Sequence, residues 1–565
     1  MFLLNPKNNN YDYLDQKSKD IMLKTIEFFE TKGKNKLTED NMNYVWNYDF
    51  VEFVKKEKIF STLMTPKGYG ATDSSWNTSR ICAFNEILGF YGLPYWYTWQ
   101  VSMLGLCPVW MSNNEKIKNK TAQLLEDGGV FAFGLSEKEH GADLYSSEMK
   151  LEPVKEDDYK ANGRKYYIGN GNEASLVSVF GKIANTDEFV FFPVDSKNEN
   201  FTCIQNVIAS QLYVSEFELK DYPIKEADIL SKGELAWDTA LNTVNVCKFN
   251  LGWAAIGMCT HSFYETINHA GNRRLFNHYV TDFPHIKQLF TDSYTRLIAM
   301  KLFCSRAADY MRSASEEDKR YLLFNSIVKM KVTSQGEEVL NLLADIIAAK
   351  GFEKNTYFSM AIRDIRGLPK LEGTVHVNMA LIIKFMANYF FFPASFPEIG
   401  KRDDNENDSF LFNQGKTKGL SKIKFHDYNI AYNSVDLPNI NIFKEQIAIF
   451  KNLLFMARPS EEQAKNFDFL LSLGEIFTLV VYGQLIIESA KLNNISDDIL
   501  DQIFDFMVRD FSKFALQIYS KTSSTEKQME LCLKMLKKSA INIERTNKIW
   551  EQDILTLKDL YNMNN

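Results

Sequence analysis

A glutamate set among small and apolar residues is a proton-transfer group in waiting, and residues 363–378, RDIRGLPKLEGTVHVN, supply one in Glu372. Its neighbours Leu368, Pro369, Leu371 and Gly373 suit a tight turn facing a cavity. A carboxylate held there has a raised pKa, nearer the working pH and better matched to taking a proton. Read alone, it is equally an ordinary surface glutamate on a loop. Other chemistries find less support. The seven histidines form no HxxxH or HExxH pair, so no metal site is expected. Neither GxGxxG after a strand nor GxxxxGK[ST] occurs, which disfavours a nicotinamide dehydrogenase.

Three further segments stand upstream: residues 131–144, FAFGLSEKEHGADL; residues 162–171, NGRKYYIGNG; and residues 269–277, HAGNRRLFN. The elements that must position them change character along the chain. Residues 1–130 show helical spacing, broken by a turn at Pro66, Gly68 and Gly70, and predict a helical domain. Residues 131–244 hold short β-rich runs, with Asn162-Gly163 as a hairpin signal, and predict a barrel-like middle β domain. Helical periodicity returns over 245–395, where Leu251, Ala255, Met258, Ser262, Phe263 and Ile267 share one face. Residues 396–429, rich in Asn, Asp, Lys and Gly, predict an exposed linker, and 430–565 a helical extension. The expected class is α+β multidomain.

Composition narrows the function. At 565 residues the chain exceeds what one core serves. Its 45% hydrophobic content, with 43 Phe and 26 Tyr, argues against a disordered chain. A net charge of -7 offers no cationic surface for nucleic acid. Seven scattered cysteines, odd in number and without a CxxC pair, read as reduced thiols in a cytoplasm, and the first residues lack a signal-peptide pattern. The most apolar stretch, residues 476–487, is too short for a bilayer and is interrupted by Gly483 and Gln484, so a buried helix is expected and no transmembrane segment.

Together and in this order, the four segments resemble the acyl-CoA dehydrogenase family, whose members carry a [T/S]EP-type loop, an NGxKxWITNG hairpin, an AxxRxxFG segment and an RDxRxxxxxEGT segment. The motifs span residues 131–378. The resemblance implies an acyl-CoA dehydrogenase-like fold: N-terminal helical domain, middle β domain and C-terminal helical bundle, here with a helical extension. It implies FAD lying between the β domain and the C-terminal helices, and a homodimer or homotetramer in which a neighbouring subunit grips part of it. The implied reaction is α,β-dehydrogenation of an acyl-CoA to the trans-2-enoyl thioester in fatty-acid β-oxidation. Glu372 removes the α-proton, its own backbone N–H helps hold the thioester oxygen, and electrons pass to an electron-transfer flavoprotein.

By the same resemblance, Phe133, Leu135 and Ser136 run along the flavin, and Tyr167 packs against it. Gly169 stands where the family has a threonine, so a hydroxyl is lost. Arg273 clamps the pyrophosphate across the subunit interface, where a guanidinium suits paired oxygens, and Phe276 follows it. Gly351 ends a QxxGGxG-like segment, Thr374 belongs to the EGT, and His376 replaces a glutamine near the adenine. Lys248 replaces an arginine near the bound thioester, with Ala142 and Gly373 beside the substrate. Departures include Asn277, Pro284, Ala348 and Asp345, the last repulsive if it faced phosphate. Plainer roles compete: Ser136 as a backbone cap, Phe133 and Leu135 as core, Tyr167 as a hairpin aromatic, Arg273 as a solvated helix residue, Lys248 as a surface lysine with a buried stem, His376 as structural. Two other functions compete as well: an acyl-CoA oxidase using O2, and a flavin-binding relative with a binding or regulatory role.

Overall fold

The computed structural model describes residues 2–155 and 157–565. Six helices come first: α1 Gln16–Met42, α2 Tyr48–Lys56, α3 Ile59–Met64, α4 Thr78–Tyr91, α5 Leu93–Met111 and α6 Glu115–Glu126. Asp15, Asn77 and Asn114 cap α1, α4 and α6, each accepting a hydrogen bond from a backbone N–H of the first turn. Helix α5, LPYWYTWQVSMLGLCPVWM, is buried from Leu93 through Trp110, so it runs through the core rather than over it. Gly105 lets it lie on the first strand: a Cβ there would sit 2.5 Å from the carbonyl oxygen of Ala132.

The β domain comprises β1 Val130–Gly134, β2 Lys150–Lys155, β3 Asp158–Gly169, β4 Ala174–Ile183, β5 Phe189–Val194, β6 Phe201–Asn206, β7 Val214–Lys225 and β8 Ser231–Lys232. They form one eight-stranded sheet in the order β6-β7-β3-β2-β4-β5-β8, with β1 on β4. Both contacts of β4 with β1 and β2 are parallel, and the other pairings are antiparallel. The path ends at β6 and β8 without closing, so the expected barrel is an open sheet, its last strand only two residues long. Asn162-Gly163 is no turn. It lies inside β3, where the register against β7 shifts, and Gly163 takes φ 143°; β2 and β3 pair antiparallel as far as Lys155 with Asp158. The glycine serves a bulge instead of a hairpin.

Helices resume with α7 Gly233–Cys247, ahead of position 245, then α8 Asn250–Asn272 and α9 Pro284–Arg312. Helix α10 Tyr321–Ile327 passes through a π turn, Val328–Val332, into α11 Thr333–Ile347. Helix α12 Tyr357–Asp364 and α13 Val375–Ile383 bracket Glu372. Two glycines lock α4 to α8: Cβ atoms at Gly89 and Gly257 would meet Ala254 O at 2.4 Å and Glu86 O at 2.2 Å.

Residues 396–429 are not an exposed linker. Arg312, buried in α9, pairs with Asp404 at 3.0 Å and Asp408 at 3.1 Å, and Asp408 accepts from the Thr78 N–H at 2.6 Å at the start of α4. Phe412 packs edge-on against Trp76. The polar composition that predicts solvation supplies hydrogen-bond partners to a strap. Beyond it, helices Pro438–Met456 and Phe467–Leu492 both pack on Asp497–Tyr519, and the last two also pack onto α9. Phe467–Leu492 is long and apolar enough to cross a membrane by composition, but 83% of its most apolar window is buried inside the protein.

Candidate active site

Glu372 follows a short 3-10 turn, Ile365–Gly367, and takes φ 52° with Gly373 at 88°. A left-handed glutamate costs of order 1–3 kcal/mol and persists only where surrounding contacts hold it. Those contacts are present. Asn378 donates to Gly373 O at 3.1 Å, Thr374 caps α13 through the Val377 N–H, and Lys329 donates to Leu368 O at 2.8 Å. The residue is half-buried, yet its carboxylate is enclosed. Oε1 accepts from Gln100 Nε2 at 2.7 Å, and Oε2 is buried with no partner among the described residues. Burial raises the pKa to about 7, against the opposing pull of the Gln100 hydrogen bond and of Lys329 and Lys248.

Both lysines are buried. Lys248, 2% exposed at the end of α7, donates to Ser326 Oγ at 2.9 Å; burial and the neighbouring Lys329 lower it to about 7, which excludes the surface reading. Lys329 sits in the π turn and is likewise lowered to about 7 by burial. Such turns recur at functional sites because the wider loop of backbone redirects a side chain.

Glu372 opens into a cavity of about 1210 Å³, larger than the roughly 300–1,000 Å³ usual for one small ligand. There is room for a cofactor and a substrate together. Phe133, Leu135, Ser136, Tyr167 and Gly169 line one side, and Ala142, Lys248, Gly373 and Thr374 line others. The structure thus brings ten of the expected residues, Glu372 included, around one space. Four lie elsewhere. Arg273 ends α8 and is exposed; Phe276 is 88% exposed at the tip of a hairpin, Arg274–Leu275 with His278–Tyr279; Gly351 is buried beside an 86% exposed Phe352; and His376 is exposed on α13. Phe276 and Asn277 both have positive φ, the backbone of a two-residue turn.

Several details explain the motifs. Ser136 donates to Tyr166 O at 2.7 Å while lining the cavity, so its hydroxyl holds the backbone of β3. Lys165, fully buried, donates to Leu135 O at 2.9 Å and pairs with Glu137 at 2.7 Å, tying the Ser136 loop to the same strand. Gly169 has a steric reason: a Cβ would sit 2.7 Å from both Tyr97 Cε1 and Val101 Cγ2. Tyr97 fills the space a threonine would need. Sequence reasoning missed Gln100, Tyr97, Lys329 and the strap, whose Gln414, Thr417, Lys422 and Lys424 also line the cavity. The one local signal was a glutamine inside the apolar run of α5.

Comparison with known proteins agrees with this geometry. Residues 237–387 match the family model for the acyl-CoA dehydrogenase C-terminal domain. A solved structure, an acyl-CoA dehydrogenase complexed with FAD from Bacillus anthracis, matches 97% of this chain and 96% of its own at TM-score 0.71 and 17% identity. Among curated proteins, the 3-(aryl)acrylate reductase of Clostridium sporogenes is 25% identical over 341 residues, 59% of this chain and 89% of the relative. The CarC subunit of the caffeyl-CoA reductase-Etf complex of Acetobacterium woodii is 24% identical over 331 residues, 57% and 86% respectively. The chain therefore carries an acyl-CoA dehydrogenase C-terminal domain within the acyl-CoA dehydrogenase fold. Its particular form is the extended one, in which the helices after residue 430 are included in the match to the Bacillus anthracis structure.

Proposed function

We propose that the chain is an FAD-dependent oxidoreductase that removes hydrogens from the α and β carbons of an acyl-coenzyme A thioester, with Glu372 as the base. The observation that supports this most is the Glu372 carboxylate: enclosed at a large cavity, one oxygen held and the other free, with a pKa near neutrality. The free Oε2 takes the α-proton. Lys248 and Lys329 stabilise the ionised form beforehand, so the base is available near neutral pH. The Glu372 N–H, which has no acceptor among the described residues, is the donor for the thioester oxygen. Phe133, Leu135, Ser136, Tyr167 and Thr374 are the lining residues that would hold a flavin. When bound, the flavin supplies the acceptor for the β-hydride.

We place the chain in a homo-oligomer, because Phe276 and Phe352 expose large aromatic surfaces that a neighbouring subunit would cover, and Arg273 stands beside one of them. An electron-transfer flavoprotein is the proposed redox partner, following the Etf complex of the Acetobacterium woodii relative. We also propose a cytoplasmic location, a reading supported by seven scattered cysteines without a CxxC pair. The reverse reaction, reduction of an enoyl thioester, is the second reading. It is favoured by two relatives that are named as reductases, and a Glu372 that is half-protonated near pH 7 would return a proton as readily as it takes one.

Mixing the purified yellow protein with a panel of acyl-CoAs tests the proposal: bleaching at roughly 450 nm is expected, as flavins lose that band on reduction. Restoration of colour in the dithionite-reduced protein by enoyl-CoAs, without bleaching by acyl-CoAs, selects the reductive direction. No response to either class removes both.

A further inference from the structure

Three buried amides and two indoles lead away from Glu372. Gln100 of α5 donates through Nε2 to Glu372 Oε1 at 2.7 Å and to Cys247 O at 3.1 Å. Its Oε1 accepts from Asn250 Nδ2 at 2.8 Å. Asn250 Oδ1 in turn accepts from Asn85 Nδ2 at 3.0 Å. Asn85 Oδ1 accepts from two indoles, Trp96 Nε1 at 2.7 Å and Trp99 Nε1 at 3.1 Å. Gln100, Asn85 and Asn250 have no exposed surface, and the close α4–α8 contact at Gly89 and Gly257 brings the two asparagines together.

The polarity of this chain follows from chemistry. A carboxamide has nearly the same shape with its oxygen and nitrogen exchanged, and a carboxyl group that titrates accepts when ionised and can donate when protonated, so a lone glutamine beside it has no sense that holds in both states. An indole N–H only donates. Trp96 and Trp99 therefore fix Asn85 Oδ1 as acceptor and Nδ2 as donor; Asn250 must then accept with Oδ1 and donate with Nδ2; Gln100 must accept with Oε1. Its N–H is what remains for Glu372. Each link is buried, where an unpaired amide is costly, so reversing one would orphan its neighbours.

We propose that Gln100 is a positioning residue for Glu372: it pins Oε1 with a hydrogen bond of fixed sense, leaving Oε2 as the oxygen that exchanges the proton, and Trp96 and Trp99, through Asn85 and Asn250, set that sense together with the acceptor-only carbonyl of Cys247. The inference rests on the reading of Glu372 as the proton-transfer group. A donor on Oε1 favours the ionised carboxylate over the acid and offsets part of the effect of burial. The other groups facing Glu372 are Lys248 and Cys247 from α7, Lys329 from the π turn and Tyr97 from α5. The two lysines also favour ionisation. Among the described residues only Gln100 hydrogen-bonds to the carboxylate.

The test is an infrared titration of the Glu372 carboxyl band in the full-length protein, identified by its loss in Glu372→Gln. In Gln100→Leu the midpoint should rise, and Trp96→Phe with Trp99→Phe should move it the same way by less. Gln100→Glu, which keeps the shape and guards against a folding failure in the leucine variant, should also raise it, since two carboxyls sharing one site titrate as a pair. In flavin reduction by an acyl-CoA, Gln100→Leu should then lose activity below neutrality, about tenfold per unit of midpoint shift, and recover at alkaline pH. Unchanged midpoints in both Gln100 variants would overturn the proposal. The infrared titration needs no turnover, so a wild type that bleaches with no acyl-CoA would defeat the proposed function while leaving this result readable.

Discussion

The chamber around Glu372 and the hairpin at Arg274–Tyr279 descend from motifs of similar length, yet they differ in nearly every physical respect. In the chamber Gln100, which donates to the carboxylate, is buried and bonded, burial lowers two lysines to about 7, and the groups of Glu372 without a partner among the described residues are Oε2 and its own N–H. The hairpin is open: Arg273 is solvent-facing, and the Phe276 ring has almost no contact with its own chain. Burial makes polar groups commit to partners in advance, because leaving them unpaired costs free energy. The proposed site of proton transfer has its polar partners within the chain, whereas the surface proposed to meet another subunit leaves its aromatic ring exposed.

The largest effect expected from breaking the chamber is that of Glu372→Gln. The amide keeps the shape and the backbone donor, so cofactor binding and fold should persist while flavin reduction falls by at least the 10²–10⁴-fold typical of general-base removal. Rapid mixing with an acyl-CoA measures it; a rate near wild type would take Glu372 out of the mechanism. Gly169→Thr comes next. It forces a Cβ into Tyr97 and Val101 and should cost about 1–3 kcal/mol in denaturant unfolding, with Tyr97→Ala relieving the defect.

A smaller change is expected from removing a cation. Glu372 is raised to about 7, so below that pH it is protonated and cannot take the α-proton; the rate rises with pH through this window. Lys329→Met withdraws the larger favourable charge and should shift the rate profile to higher pH, further than Lys248→Met does. A pH series of single-turnover reductions settles the order. Least affected is the isolated subunit in Phe276→Ser, whose stability should lie within roughly 0.5 kcal/mol of wild type because the ring is exposed. Light scattering should instead show loss of the oligomer. A destabilised monomer with intact assembly would reverse the contrast drawn between chamber and hairpin.

The order of helical, β and helical regions and ten of the residues around the cavity, Glu372 among them, were legible in the chain, because periodicity reports local geometry and the four motifs resemble those of a known family. What each residue does there was less legible. Lys248 reads equally as a cation beside the substrate or as a surface lysine with a buried stem, and it is buried at the cavity; Gly169 reads as a lost hydroxyl and is the space taken by Tyr97. Asn162-Gly163 has turn chemistry but serves a bulge, since the pairing of β3 with β7 carries through it.

By itself the sequence determined which carboxylate stands in an apolar turn and which segments accompany it, since both depend on neighbours within a few positions. Only the tertiary structure decided that Gln100 reaches Glu372, that Asn85 meets Asn250, and that the polar strap ahead of the extension lines the cavity. Those partners lie far apart in the chain and leave no local period. A polar residue also looks the same in sequence whether water or a buried arginine such as Arg312 takes up its hydrogen bonds.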